Sequence, residues 1–168
     1  GRSLEHGPGM AERLRLADDL ARRESDPAHR RAWEAARASI KASPRYQELD
    51  LPVQDGLVPL REDPLSGLWE FADVRTGALP TLDAATGRWR IEEETGMVFV
   101  LIPAGEHTVG LQEDDPSAPY FDAGARIFEV GIVTLRLAPY LISKYEMTQG
   151  QWLLQTGGNP SYYAPQPA

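Results

Sequence analysis

The sequence predicts an α+β protein, a helical N-terminal part followed by a loop-rich β part. Three observations carry that expectation. Apolar residues recur at helical spacing until Pro44. Beyond Leu51 the pattern turns to short alternating or continuous apolar runs cut by turn residues. Fifteen Gly and fourteen Pro in 168 residues then demand many loops and short regular elements.

Residues 1–50 read as a helical hairpin or lead-in. "MAERLRLADDLARRE" places Met10, Leu14, Ala17, Leu20 and Ala21 on one face. "SDP" breaks and restarts the helix, with Asp26 as N-cap and Pro27 at the first helical position. The second helix sets Ala32, Trp33, Ala36 and Ile40 on its inner stripe and ends at Pro44. Its charges form a solvated face, with Arg30 and Glu34 spaced for an i,i+4 pair.

Residues 51–95 read as a β collar. In "GLWEFADV", Leu68, Glu70 and Ala72 alternate with Trp69, Phe71 and Asp73, the period of a half-buried strand. "RWRIE" is a second short strand between turns. Residues 96–168 form the third part. "GMVFVLIPAGEHTVG" is a buried strand, a Pro-Ala-Gly corner and another strand, and residues 111–125 are a polar loop. The β stretch from 126 to 148 is broken at Gly131 and Pro139. Thr148 then caps a helix, with Gln151 placed for a capping box and Gly157–Gly158 as the stop.

Composition removes several function classes. A net charge of −8 repels a phosphate backbone, so no nucleic-acid partner is expected. No apolar run approaches the length of a membrane span, so no membrane segment is expected. With no cysteine, the chain has neither disulfide, thiolate metal site nor cysteine nucleophile.

The remaining polar residues give no catalytic, cofactor-binding or metal site. Glu113, Asp114, Asp115 and Asp122 offer hard oxygen donors, yet their loop lacks the glycine and closing glutamate of a calcium hand, and a solvated loop is expected. His6, His29 and His107 are scattered, without ligand spacing. Ser143, Ser161 and Thr148 sit in no nucleophile elbow. Trp152 is expected to anchor a core, because an indole buries so much area.

"GMVFVLIPAGEHTVG" followed by "APYLISKYEMTQGQWLLQTGGNPSYY" resembles the opening of the formylglycine-generating-enzyme (sulfatase-modifying factor) family. That family's pattern runs G-M-V-x-I-P-G-G, then P-F-x-I-x-x-x-E-V-T-x-x-Q-W, then N-P-S. The likeness covers about residues 96–163. "LVPLREDPLSGLWEFADVRTG" is similar to the segment preceding this domain in large bacterial proteins that carry a Ser/Thr kinase. The family's P-x-H-x-V approach is replaced here by "ARIFEVGIVTLRLAPY".

The resemblance implies a C-type-lectin-like fold, of which this chain matches the N-terminal portion. It places the copper-binding cysteines and calcium ligands of the oxidases in the part not matched, so no catalytic residue carries over. Tyr162 and Tyr163 fall where the family approaches its ligand-facing surface. Part of such a domain should leave strand edges and apolar residues uncovered. Its implied partner is the C-terminal half of the domain, as a second polypeptide or a swapped copy, alongside a further protein partner. The expected function is a non-catalytic regulatory or ligand-binding module of a kinase-linked protein. The alternatives are part of an authentic oxidase, or a partner-docking helical arm on a β scaffold.

Overall fold

The computed structural model describes residues 10–125 and 131–158. It is an α+β structure built on a four-stranded antiparallel sheet. Helix α1 spans Met10–Ser25 and α2 spans Pro27–Ala42. Asp26 lies between them, and its carboxylate accepts from the Ala28 N–H at 2.8 Å, as the cap reading expects. Trp33, Ala36 and Ile40 are buried at helical spacing. Of the stripe expected on α1, Leu14, Ala17 and Ala21 are exposed and Leu20 is half-buried, so α2 is the helix that builds core.

The helix stops before Pro44, whose ring cannot continue the hydrogen-bond ladder. A 3-10 turn, Pro44–Tyr46, then drives Tyr46 into the interior. Its hydroxyl donates to the Leu101 carbonyl (3.1 Å) and accepts from the Trp69 N–H (2.9 Å). Burial pushes the phenol upward from its ordinary pKa, against the lowering effect of the Trp69 hydrogen bond.

Strands β1 (Leu57–Glu62), β2 (Trp69–Asp73), β5 (Met97–Ile102) and β8 (Tyr140–Ser143) form the sheet in the order β1-β2-β5-β8. The boundary expected at residues 95 and 96 therefore falls inside one sheet. β1 is an edge strand with an irregularity at Pro59, which has no N–H to give to a ladder. Two ribbons flank the sheet: β3 (Thr81–Leu82) with β4 (Trp89–Arg90), and β6 (Gly105–Val109) with β7 (Val133–Leu137). The β stretch expected over 126–148 is seen as β7 and β8, parted at Pro139. Its first residues lie outside the described ones.

The core joins Trp33, Ile40 and Tyr46 to Leu57, Phe71 and Leu101. Trp33 lies 5.5 Å from the Phe71 ring and donates its indole N–H to the Leu57 carbonyl (3.2 Å). Burying a side chain such as Phe71 contributes about 2–3 kcal/mol. The half-buried reading of "GLWEFADV" is corrected here, because Glu70, Phe71, Ala72 and Asp73 are all buried. α2 covers the Phe71 face, while Arg61, Trp89 and Lys144 cover the Glu70 face. Alternation of residue type cannot reveal a second cover.

Helix α3 spans Gln149–Thr156 and has the expected capping box. The Thr148 hydroxyl accepts from the Gln151 N–H (3.1 Å), and the Gln151 side chain accepts from the Thr148 N–H (3.0 Å). Gln151 is buried and donates to the Thr95 carbonyl (2.9 Å). A Cβ on Gly150 would sit 2.5 Å from the Glu93 carbonyl oxygen, so glycine permits this docking. Among the described residues no helix is long and apolar enough to cross a membrane.

Candidate functional site

Sheet register assembles a cluster of charged side chains. Arg61 on β1 pairs across Glu70 on β2, Glu70 across Val100 on β5, and Val100 across Ile142 on β8. Residues in one such row share a face. Lys144 lies two residues beyond Ile142, hence on that same face, and its N–H bonds the Val98 carbonyl at 2.7 Å.

The Glu70 carboxylate, fully buried, accepts from three donors. These are Lys144 Nζ, Arg61 Nε (3.4 Å) and the Trp89 indole N–H (2.7 Å). The Arg61 guanidinium also lies 4.8 Å from the Trp89 ring centroid and donates to the Gly87 carbonyl (2.7 Å). Lys144 forms a longer ion pair with Asp63 at 3.8 Å. Burial raises the Asp63 pKa, but the Ser66 hydroxyl, the Leu65 N–H and the Lys144 charge outweigh that and hold it below its ordinary value.

Glu70 is thus engaged on both oxygens. Its role is a clasp between β1, β2, β4 and the end of β8. A buried pair of this kind adds little net stability over an apolar equivalent, yet breaking it leaves a stranded charge. By alternation alone Glu70 lies on one face of a half-buried strand, with no functional role. A signal was present, a carboxylate between Trp69 and Phe71 in a strand of large apolar residues.

Beside the clasp opens a pocket of about 410 Å³. Asp63, Lys144, Arg88 and Tyr145 supply polar atoms, with Pro64 and Leu65 as apolar wall. A second groove of about 410 Å³ runs along α2, lined by His29, Trp33, Arg37 and Gln54 among others. Burial and the charge of Arg23 lower the His29 pKa.

Among the described residues, those singled out from the sequence do not converge. Asp115 accepts from the Ser117 hydroxyl (2.7 Å) and N–H (2.9 Å), and the Ser117 hydroxyl bond leads in holding the Asp115 carboxyl below its ordinary pKa. Asp122 accepts from the Gly124 N–H (2.8 Å), so both carboxylates close turns of the loop. Among the described residues, no group of three or more His, Asp or Glu is placed to hold a metal ion. His107 lies on β6 with its ring 6.1 Å from that of Tyr140, and its Nε2 is buried without a partner. The Ser143 hydroxyl donates to the Tyr145 carbonyl (2.6 Å).

Arg30 and Glu34 make no ion pair among the described residues, whereas Arg37 reaches Asp50 at 2.8 Å. Trp152 corrects its core expectation. It is 43% exposed, because α3 docks through Gln151 and Gly150 and turns the indole outward. His6, Ser161, Tyr162 and Tyr163 lie outside the described residues.

Comparison of the chain with family models, curated proteins and solved structures gives no match.

Proposed function

We propose that the chain is a non-catalytic binding module, the N-terminal portion of a formylglycine-generating-enzyme-like domain of C-type-lectin-like fold. In this reading it belongs to a larger bacterial protein of the kinase-linked type, and another polypeptide covers one of its faces. The carrying observation is where apolar side chains stand exposed. Of fourteen exposed large apolar residues among those described, seven fall between 132 and 153: Ile132, Val133, Leu135, Ile142, Met147, Trp152 and Leu153. That concentration supports a surface made for contact rather than for water.

Backbone supports the same reading. β8 is an edge of the sheet, and β6–β7 is a two-stranded ribbon whose β7 is exposed over most of its length. Such ribbons are marginal alone and gain stability when covered. Copper-dependent thiol oxidation does not fit these residues, since a soft-metal site needs thiolates and the chain has no cysteine.

Native mass spectrometry with gel filtration tests the proposal. The 18.6 kDa chain should travel with a second polypeptide or a second copy. A Leu135→Asp, Trp152→Asp double variant should elute as a folded monomer. A lone, folded wild-type chain with no tendency to associate overturns the covered face. Oxidation of a cysteine-containing peptide by the purified chain overturns the non-catalytic reading.

A further inference from the structure

We infer that the pocket over the Glu70–Lys144 clasp binds a small organic carboxylate. This goes beyond the covered apolar face and does not rest on it. Arg61, Lys144 and Arg88 bring three cations to the clasp and its pocket, against two carboxylates, Glu70 and Asp63. One positive charge is left uncompensated, which suits a monoanion better than a dianion.

That charge sits on Arg88. Arg61 is committed to Glu70, to the Gly87 carbonyl and to the Trp89 ring. Lys144 is shared between Glu70 and the more distant Asp63. Arg88 differs: its backbone N–H bonds the Thr86 hydroxyl at 3.4 Å, but its guanidinium has no hydrogen bond or ion pair among the described residues. It lines the pocket together with Lys144. A planar guanidinium offers two parallel N–H groups, the geometry that a carboxylate accepts.

The walls set the rest of the ligand. Pro64, Leu65 and Tyr145 present apolar surface to the pocket. Lys144 is 6.0 Å from the Tyr145 ring centroid, which places the ammonium and the aromatic face side by side. A carboxylate attached to a flat apolar group matches both features. The clasp gives the pocket a rigid floor, because Glu70 holds Lys144 from beneath and spares the ligand the cost of ordering it.

The test is a titration of the full chain with benzoate, followed by amide chemical shifts. Benzamide serves as the neutral isostere and phenyl phosphate as the dianion. Benzoate should shift the amides of Asp63, Leu65, residues 86–88 and residues 144–145, with both analogues weaker by about tenfold or more, the effect of one charge-assisted hydrogen bond. Arg88→Gln, at a side chain without a protein partner, should keep the fold and weaken benzoate by a similar factor. Unchanged affinity in R88Q, shifts elsewhere, or no response at 10 mM benzoate, a concentration on the order of the weakest useful affinity, overturns the site. Equal binding of benzamide or phenyl phosphate overturns the carboxylate assignment.

Discussion

Glu70 and Lys144 stand 74 residues apart in the chain and meet as an ion pair whose carboxylate is wholly buried. Lys144 immediately follows β8, the last strand of the sheet, so this one contact ties the end of the sheet to its second strand. With Arg61 and Trp89 it sets a buried polar network on the sheet face that also carries Val100 and Ile142.

Lys144→Met removes one cation and leaves Glu70 buried on two donors. The expected cost is about 3 kcal/mol, the lower end for breaking a buried pair, since Lys144 itself is partly exposed. Glu70→Leu combined with Lys144→Met should cost clearly less than the two single changes together. Urea unfolding of the four proteins measures this; strict additivity would mean that the two residues do not interact.

Tyr46→Phe should cost about 1–2 kcal/mol while leaving packing intact. The loss is two-sided, because the Leu101 carbonyl loses a donor and the Trp69 N–H loses an acceptor. The urea midpoint should fall with an unchanged slope. An unshifted midpoint would show that water replaces the hydroxyl.

Gly150→Ala sets helix propensity against packing. Alanine favours an exposed helix by about 1 kcal/mol over glycine. Here the new methyl meets the Glu93 carbonyl oxygen at 2.5 Å, and a backbone atom cannot swing aside as a side-chain tip can. We expect net destabilisation and faster amide exchange at Gln151–Thr156. Thr148→Ala, which removes the cap, should cost about 1 kcal/mol by the same readout. A more stable G150A would show that α3 does not press on the 93–95 segment.

Asp83 carries a pH signature. Its carboxyl accepts from the Thr86 N–H first, then from Arg90 and the Ala85 N–H, and is held at about 2. Its ordinary value is 3.8, so the folded value is depressed. The stabilisation is therefore complete above the ordinary value and is lost as pH falls through the folded one. A carboxyl-carbon titration should give a midpoint near 2, and Asp83→Asn should remove the corresponding pH dependence of stability. A midpoint at the ordinary value would show that the turn does not hold its carboxylate.

What the sequence by itself determined is local. The Asp26-Pro27 restart, the stop at Pro44, the strand-corner-strand of 97–109 and the Thr148–Gln151 capping box were legible because each depends on neighbours within about one turn. The buried stripe of Trp33, Ala36 and Ile40 was legible for the same reason, since helical period alone fixes which side chains share a face. What only the tertiary structure decided is how these pieces cover one another. Trp152 and Gln151 have opposite fates on one short helix, because docking through Gly150 chose the face. The clasp required the registers of three strand pairs to place Arg61, Glu70 and Lys144 on one face, and a one-residue slip in any of them would undo it. Periodicity along a chain reports which side chains point together; only the sheet brings them to the same place.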